Sequence, residues 1–296
     1  MTGIICINKD KDITSFGTVA KVRGITRIKK AGHTGTLDPM ATGVLPVMIG
    51  GATKFLDYLP DSDKGYRASF ILGKTTDTLD ITGNITGEYD VNASKEDVEN
   101  ILPEFRGVIS QIPPMYSAVS VGGKRLYDLA RQGIEVERQA REVEIKKLEL
   151  VESDGNEYTI DVICSKGTYI RTLIDDIGRR LGCGAVMTSL KRTLAMGFTL
   201  DDCVTIEQLQ EIKDKSLDFE DVIIDIEKIF SSYDSIAVTD AQARRFSNGG
   251  ALALDRLRKK LGNNFYRVYN QRGEFLGLGK ADFEKQELAV KRLLVK

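Results

Sequence analysis

The chain has 296 residues, a formal net charge of -1 and 42% hydrophobic residues, enough for one large folded domain and a small one. No apolar run is long enough to span a bilayer, and the N-terminus places charges after a short apolar stretch, the reverse of a signal peptide. We therefore expect a cytoplasmic protein without membrane contact. Four widely spaced cysteines and a single histidine argue against a zinc site, so no metal is expected.

The charges are unevenly distributed along the chain. Residues 9–30 include seven basic and two acidic side chains, a net charge of +5, and residues 166–192 have a net charge of +4. Residues 201–230 include ten acidic and three basic side chains, a net charge of -7. Two interpretations stay open. These segments form a basic face and an acidic back, as in a protein that binds nucleic acid, or they are ordinary solvated helix faces.

The first elements follow from apolar periodicity and helix-start signals. Residues 3–8 predict a short buried strand. Ser15 is suited to cap a helix that continues to Lys30 with a basic outer face. Asp77 and Asp80 follow the strand at 66–72, and they either order a turn or form a metal pair. The other elements predicted up to that point are a loop at 31–46, a strand at 44–49 and a helix at 52–59.

The remaining elements alternate between capped helices and hairpins. They are, in chain order, a helix at 92–105 capped by Ser94, a protruding loop at 111–133 with a short helix at 125–132, a hairpin of 141–151 and 157–164, a helix from about Tyr169, a helix capped by Thr205, an acidic boundary at 214–227, a helix at 240–247 capped by Thr239, and a hairpin at 265–282.

The loop at residues 31–46, AGHTGTLDPMATGVLP, contains the single histidine, His33, and a carboxylate, Asp38. Its glycines permit tight turns, and Pro39 keeps Asp38 out of helical backbone angles. A stiff loop is a suitable place for a reacting group. On these residues alone, the favoured interpretation is a plain turn in which the aspartate bonds its own backbone.

The stretch GHTGTLDPMATGVLP resembles the signature of the tRNA pseudouridine synthase B (TruB-like) family. Residues 64–83, KGYRASFILGKTTDTLDITG, and 165–182, SKGTYIRTLIDDIGRRLG, resemble two further motifs of that family, and LKRT at 190–193 resembles its last catalytic motif. The resemblance implies that Asp38 is the catalytic residue.

The same resemblance implies roles for other side chains around Asp38. Tyr66 would stack on the target base and Leu190 would pack against it. Tyr169 and Arg171 would lie beside the carboxylate, where an arginine holds it ionised and oriented. His33 suits the filling of the base stack that a flipped base vacates, although a buried structural histidine is the open alternative. Lys9 is interpreted as a structural support.

The chain departs from the family pattern at three positions. Asp10 and Asp12 replace the usual proline and glycine, which concerns the shape of that loop. Ser120 stands where most members have a lysine, in the segment that clamps the RNA stem-loop, so one backbone contact is absent there. From about residue 232 the chain resembles the PUA domain, a small RNA-binding barrel.

Pseudouridine formation breaks the glycosidic bond, rotates the uracil and rejoins it through C5. No redox step occurs, so we expect no cofactor. Asp38 could attack the sugar or the base, or remove a sugar proton, and the sequence does not choose among these routes. A retaining glycosidase needs a second carboxylate about 5 Å away, and the resemblance offers none.

Together these features predict an α+β catalytic domain at residues 1–230, with a mixed or antiparallel sheet of the pseudouridine-synthase type flanked by helices. An RNA-clamping insertion is expected at about 111–150, and a mostly-β PUA-like domain at 231–296. The predicted reaction converts uridine-55 in the T loop of tRNA to pseudouridine. The expected partner is the T-arm stem-loop, bound by a monomer with no obligate protein partner. The alternatives are a related synthase acting on ribosomal RNA and an RNA-binding or folding module with a vestigial site.

Overall fold

A computed structural model describes residues 1–294, which form two large β-sheets with helices packed on them. The strands, numbered in chain order, are β1 Gly3–Lys9, β2 Ala31–His33, β3 Thr42–Ile49, β4 Lys64–Leu72, β5 Lys74–Thr76, β6 Ile85–Glu88, β7 Gly107–Gln111, β8 Ser120–Val121, β9 Lys124–Arg125, β10 Arg141–Asp154, β11 Glu157–Cys164, β12 Ala185–Ala195, β13 Phe198–Thr199, β14 Asp234–Ala237, β15 Leu252–Ala253, β16 Phe265–Tyr269, β17 Phe275–Asp282 and β18 Glu287–Leu293.

Within residues 1–294, six α-helices connect these strands. They are α1 Ser15–Thr26, α2 Lys95–Ile101, α3 Leu126–Ala130, α4 Ile170–Arg180, α5 Ile206–Asp214 and α6 Asp240–Ser247. The 3-10 helices are Gly50–Tyr58, Leu102–Phe105, Leu200–Asp202, Glu220–Val222, Ile226–Phe230 and Leu254–Arg256. None of the helices in residues 1–294 is long and apolar enough to cross a membrane.

The larger sheet has nine strands and is antiparallel except where β12 pairs with β3 in parallel. Its main order is β1-β3-β12-β4-β11-β10-β7, with β2 paired to β3 and β13 paired to β12. The second sheet has five strands in the order β14-β16-β17-β18-β15. The mixed large sheet with helices on it confirms the predicted α+β class.

Both faces of β1 and β3 are buried, which explains why their sequences are almost continuously apolar. Side chains of a strand alternate between faces. Ile5 and Ile7 therefore pack with Val22 of α1 in one core, whereas Ile4 and Cys6 pack in a second core on the opposite face. This arrangement places the C-terminal end of β1 and the N-terminal end of β3 at one edge, where the Asp38 loop lies.

The C-terminal sheet packs against the second of these cores. Leu278 of β17 belongs to the same buried cluster as Phe55, whose ring lies 6.1 Å from that of Phe275. Tyr58 and Phe265 form an edge-on pair at 6.1 Å. Apolar and aromatic contacts of this kind fix one sheet on the other. The division of the chain at residue 230 stays a prediction.

The prediction for α1 was wrong at both ends. Thr14, not Ser15, caps the helix, because its side chain accepts a 2.9 Å hydrogen bond from a backbone N–H of the first turn. The helix ends at Thr26 rather than Lys30, since Arg27 adopts a left-handed conformation with φ of 57°. The Ser15 hydroxyl is thereby left for a different contact, in the site described below.

The helix predicted at 92–105 is also shorter than expected. α2 ends at Ile101 and continues as the 3-10 helix Leu102–Phe105, which has a proline in its first turn. The predicted caps Ser94, Thr205 and Thr239 are all confirmed, each as part of a capping box. The helix predicted at 52–59 is the 3-10 helix Gly50–Tyr58. Both predicted hairpins are present, as β10 with β11 and β16 with β17.

Candidate active site

Asp38 lies on the loop between β2 and β3, here called the Asp38 loop, residues 34–41. The Ser15 hydroxyl accepts a 2.8 Å hydrogen bond from the backbone N–H of Leu37 and donates to its carbonyl at 3.1 Å. On the other side of Asp38, the Lys9 ammonium donates to the carbonyl of Pro39 at 3.1 Å. Two side chains that are distant in sequence therefore fix the residues on either side of the carboxylate.

Arg192 of β12 fixes the start of the same loop. Its side chain is 1% exposed and donates hydrogen bonds to the carbonyls of Val44 at 2.8 Å, Thr36 at 3.2 Å and Gly35 at 3.2 Å. Gly43 pairs with Arg192 in the parallel part of the sheet and has a φ of +100°, and a Cβ there would collide with the Arg192 backbone. Arg192 was counted in a possible basic face, and the structure corrects that, since its guanidinium is buried.

Arg171, on the first turn of α4, organises the centre of the site. Its Nε lies 3.0 Å from Asp38 Oδ2, and its Nη1 lies 3.6 Å from Asp80 Oδ2. Its terminal nitrogens also donate to the carbonyls of Thr78 at 2.9 Å and Tyr116 at 2.8 Å. The side chain is 6% exposed, whereas that of Asp38 is 34% exposed. Arg171 is therefore held by three chain segments and presents one edge to a carboxylate that solvent can reach.

Some features around Asp38 raise the pKa of its carboxyl group, and others lower it. Loss of solvent raises the pKa of the Asp38 carboxyl above its usual value, and the nearby Asp80 carboxylate raises it further. The Arg171 guanidinium opposes this rise most strongly, and the Lys9 ammonium adds to its effect. Arg171 thus favours the ionised form of Asp38 against the cost of burial.

Asp80 lies beside the site, and the sequence interpretation left it between a turn former and one of a metal pair. Its Oδ1 accepts hydrogen bonds from the hydroxyl of Thr78 at 2.9 Å and the backbone N–H of Thr82 at 3.0 Å, while Asp77 accepts from Asn84. These contacts support the turn interpretation. No group of three or more potential metal ligands occurs within residues 1–294. Nothing local indicated that Asp80 would pair with an arginine in a helix more than ninety residues later.

A cavity of about 210 Å³ opens beside Asp38. Its wall includes Tyr66 and Leu190, which are 7% and 8% exposed, as well as Tyr169 and Lys64. Burial raises the pKa of Tyr66 to about 12, so its ring stays a neutral phenol. The cavity therefore combines an aromatic and an aliphatic side chain with a carboxylate at its edge, which suits a planar base next to a reacting group.

Tyr169 is held through its backbone by Gln111, another residue that the sequence did not indicate. The Gln111 side chain, at the end of β7, accepts from the Tyr169 N–H at 3.1 Å and donates to the Tyr169 carbonyl at 3.3 Å. Gln111 is buried. Because residues 111–150 were predicted as an RNA-clamping insertion, this contact links the base of that segment to the cavity, as the contact of Arg171 with Tyr116 does.

His33 is the predicted site residue that the structure does not bring to the cavity wall. It lies at the end of β2, opposite Val47 of β3, and its buried Nδ1 has no hydrogen-bond partner in the described part of the chain. Burial and the positive charge of Arg192 lower the pKa of the imidazole. His33 is therefore a neutral ring next to the Asp38 loop rather than a wall of the cavity.

Lys9 is almost completely buried, and its ammonium also donates to the carbonyls of Asp10 at 2.8 Å and Ile13 at 2.7 Å. Burial lowers the pKa of Lys9 to about 8. Asp12, which replaces the usual glycine, adopts φ of 63°, a conformation that glycine and aspartate tolerate. Its N–H donates to Pro39 at 2.8 Å, so the loop keeps a tight turn in spite of the departure.

Comparison with known proteins was made by sequence and by structure. The family model described as "TruB family pseudouridylate synthase (N terminal domain)" matches residues 23–170. The model described as "tRNA pseudouridylate synthase B C-terminal domain" matches 171–231, and "Pseudouridine synthase II TruB, C-terminal" matches 235–294.

Curated relatives match over nearly their full length. The tRNA pseudouridine synthase B of Clostridium perfringens (strain 13 / Type A) is 45% identical over 287 residues, which cover 95% of this chain and 96% of the relative. That of Clostridium tetani (strain Massachusetts / E88) is 43% identical over 297 residues, covering 100% of both chains.

A solved structure of a Cbf5–Nop10–Gar1 complex contains a chain that matches with a TM-score of 0.77 at 26% identity, over 99% of this chain and 85% of that one. The three family models together span residues 23–294 with a gap of three residues, and the relatives share more than two fifths of their residues with it. The chain therefore belongs to the TruB family of pseudouridine synthases.

Proposed function

We propose that this enzyme converts uridine-55 in the T loop of tRNA to pseudouridine, with Asp38 as the catalytic residue. The observation that carries the proposal is the 3.0 Å pair of Asp38 and Arg171 at the edge of a cavity lined by Tyr66 and Leu190. The relatives named above are tRNA pseudouridine synthases B, which supports tRNA as the substrate.

The target uridine must leave its base stack to reach Asp38, because the carboxylate lies at a concave site of about 210 Å³. Tyr66 stacks on the flipped uracil, and such stacking contributes roughly 1–3 kcal/mol. Leu190 packs against the base, and Tyr169 lines the cavity beside the carboxylate. His33, a neutral ring at the end of β2, is the side chain that we propose to fill the vacated stack.

The reaction breaks the bond from N1 to C1′ and forms a bond from C5 to C1′, and the proton on C5 is lost. The ionised form of Asp38 is reactive whether it attacks the sugar or the base or removes a sugar proton. The Arg171 guanidinium favours that form by opposing the rise in the pKa of Asp38 that burial causes. Asp80 does not act as a second reacting carboxylate, because it faces the far side of Arg171 and is occupied by Thr78 and Thr82.

The rest of the chain supplies binding. Residues 111–150 act as the clamp for the T-arm stem-loop, since Gln111 and Tyr116 connect this segment to the cavity. Residues 231–296 form the PUA-like RNA-binding unit, of which 231–294 are described. The enzyme works as a monomer without an obligate protein partner, because all the groups named for the reaction come from one chain. We place it in the cytoplasm with its tRNA substrate.

The Asp38→Asn variant tests the assignment. It should release no tritium from tRNA labelled at C5 of uridine, while its affinity for tRNA stays close to that of the unaltered enzyme. Asp161→Asn is a matched control, because Asp161 also pairs with an arginine, at 2.8 Å, but on the solvent side of β11. Turnover by Asp38→Asn comparable with the control would contradict the catalytic assignment.

The position of the product tests the substrate. Pseudouridine should be found at uridine-55 of tRNA incubated with the pure protein, and a tRNA with cytidine at that position should gain none. Product at another uridine, or product in ribosomal RNA alone, would replace the proposed substrate but leave the reaction class intact.

A further inference from the structure

Lys64 is the first residue of β4 and lines the cavity together with Asp38 and Tyr66. A Cβ atom built on Gly35 would lie 3.8 Å from the Lys64 Nζ, which places the ammonium against the start of the Asp38 loop. The sequence interpretation assigned no role to Lys64.

Lys64 differs from the three other cations around the site. Lys9, Arg171 and Arg192 each donate hydrogen bonds to backbone carbonyls, and Arg171 also pairs with two carboxylates. Within residues 1–294, by contrast, no hydrogen bond leaves the Lys64 ammonium and no carboxylate lies within 4.0 Å of it. It is the cation of this group that is left for a ligand.

The charges around the cavity indicate that the ligand of Lys64 would be an anion. Among the side chains that line the cavity, Lys64 and Arg171 are cations and Asp38 is the carboxylate, which leaves a local charge of +1. Burial and the positive charge of Arg192 lower the pKa of Lys64. A half-buried ammonium without a counter-charge is costly, and an anion brought by the substrate would offset that cost.

We propose that Lys64 binds one of the two phosphates that flank the flipped uridine. The inference rests on the proposed function, because it requires a nucleotide in this cavity. A flipped nucleotide rotates about its backbone, so its phosphates stay at the cavity mouth while the base enters. Lysine binds phosphate as a point charge, and the oxygens of a neutral uracil offer less to an ammonium than the charged oxygens of a phosphate.

The consequence is a role in holding the nucleotide in its extruded position rather than in the bond-breaking step. Loss of the ammonium should therefore raise the enzyme concentration that gives half the maximal single-turnover rate, by about tenfold for one charge-assisted hydrogen bond. The maximal rate should change much less. The slope of log affinity against log salt should fall by about 0.7, as expected for one phosphate contact on a single strand.

The test uses single turnovers on T-arm stem-loops in which one phosphate beside the target uridine, either 5′ or 3′, is an uncharged methylphosphonate. One of the two substitutions should weaken stem-loop binding by the unaltered enzyme about tenfold. The same substitution should cause no further loss of binding in Lys64→Met. Lys64→Arg keeps the charge and should stay sensitive to the same substitution. Lys215→Met is the matched control, because Lys215 is exposed and paired with Glu211 on α5.

Thermal unfolding of each variant separates misfolding from lost binding, and Lys64→Arg keeps the test informative if Lys64→Met is unstable. The proposal is overturned if each methylphosphonate weakens stem-loop binding by Lys64→Met as much as it weakens binding by the unaltered enzyme. It is also overturned if Lys64→Met binds the stem-loop as tightly as Lys215→Met at every salt concentration. If the unaltered enzyme still turns over the unmodified stem-loop normally, such a result contradicts only the proposed role of Lys64. If the unaltered enzyme does not turn over that stem-loop at all, both the proposed substrate and the proposed role of Lys64 are contradicted.

Discussion

Replacing Arg171 by methionine should move the pH dependence of the single-turnover rate, and the direction follows from the structure. The Arg171 guanidinium is the strongest influence that lowers the pKa of Asp38, which burial raises. Without it, the pKa of Asp38 rises further, and Asp80, which loses the same partner, adds its repulsion. Because the proposed reaction uses the ionised form of Asp38, the acid limb of the rate profile should move to higher pH.

The size of the effect can be worked from the contacts. A hydrogen bond to a charged group contributes about 1.5–3 kcal/mol, and the lower half of that range applies because Asp38 is 34% exposed. A loss of about 1.5–2 kcal/mol in the transition state corresponds to a rate about 10- to 30-fold lower. The variant also leaves the carbonyls of Thr78 and Tyr116 without these donors, and each unsatisfied buried acceptor costs about 1–3 kcal/mol of unfolding free energy.

The assay is tritium release under single-turnover conditions across a pH series, with circular dichroism to show that each variant is folded. Asp80→Asn is the matched variant, and it should shift the acid limb of the pH–rate profile in the opposite direction. It removes a neighbouring negative charge, so the pKa of Asp38 falls and the acid limb should move to lower pH. The amide oxygen of the new side chain can still accept from Thr82. An unmoved acid limb in Arg171→Met, or movement of both variants in the same direction, would refute this reasoning.

Three further outcomes are expected. Gln111→Ala removes two hydrogen bonds to the Tyr169 backbone and should lower the single-turnover rate about tenfold, with little change in tRNA affinity by filter binding. Affinity for tRNA should fall as the salt concentration rises. Lys29→Ala should reduce the slope of log affinity against log salt by about 0.7–0.9. Arg180→Ala should reduce that slope less, because Glu104 already pairs with Arg180 at 2.8 Å. Turnover should persist in excess chelator once tRNA folding has been checked, and activity restored only by a divalent ion would contradict this.

The sequence predicted the elements whose signals are local. β1 and β3 were recognisable as apolar runs, and the caps Ser94, Thr205 and Thr239 as hydroxyl residues just before a predicted helix. The error in α1 arose where the local signal was ambiguous. Thr14 and Ser15 are both good caps, and the choice between them depends on the contact of Ser15 with Leu37, 22 residues away. The end of α1 depends on the left-handed conformation of Arg27, for which arginine carries no signal.

The candidate site divides in a similar way. Asp38, Tyr66, Tyr169, Arg171 and Leu190 were found because each lies in a stretch that resembles a family motif, and their roles stay predictions until they are tested. Four other side chains that build the site were not found. They are Ser15, Asp80, Gln111 and Arg192, and each acts through a partner on another element, up to 157 residues away. Contacts of this range depend on the register of the sheet, which a single sequence does not supply.

The cations that fix the Asp38 loop also shape its chemistry. Lys9 and Arg192 are almost fully buried, and the hydrogen bonds they donate go to backbone carbonyls rather than to carboxylates. A carboxylate partner would have neutralised them and added negative charge near Asp38. Because they bond neutral carbonyls, the loop is held rigid while Lys9 keeps a positive charge that helps lower the pKa of Asp38. The same lysine therefore holds Pro39 next to Asp38 and favours the ionised form of that carboxyl group, which gives a physical reason for a lysine in the interior at the end of β1.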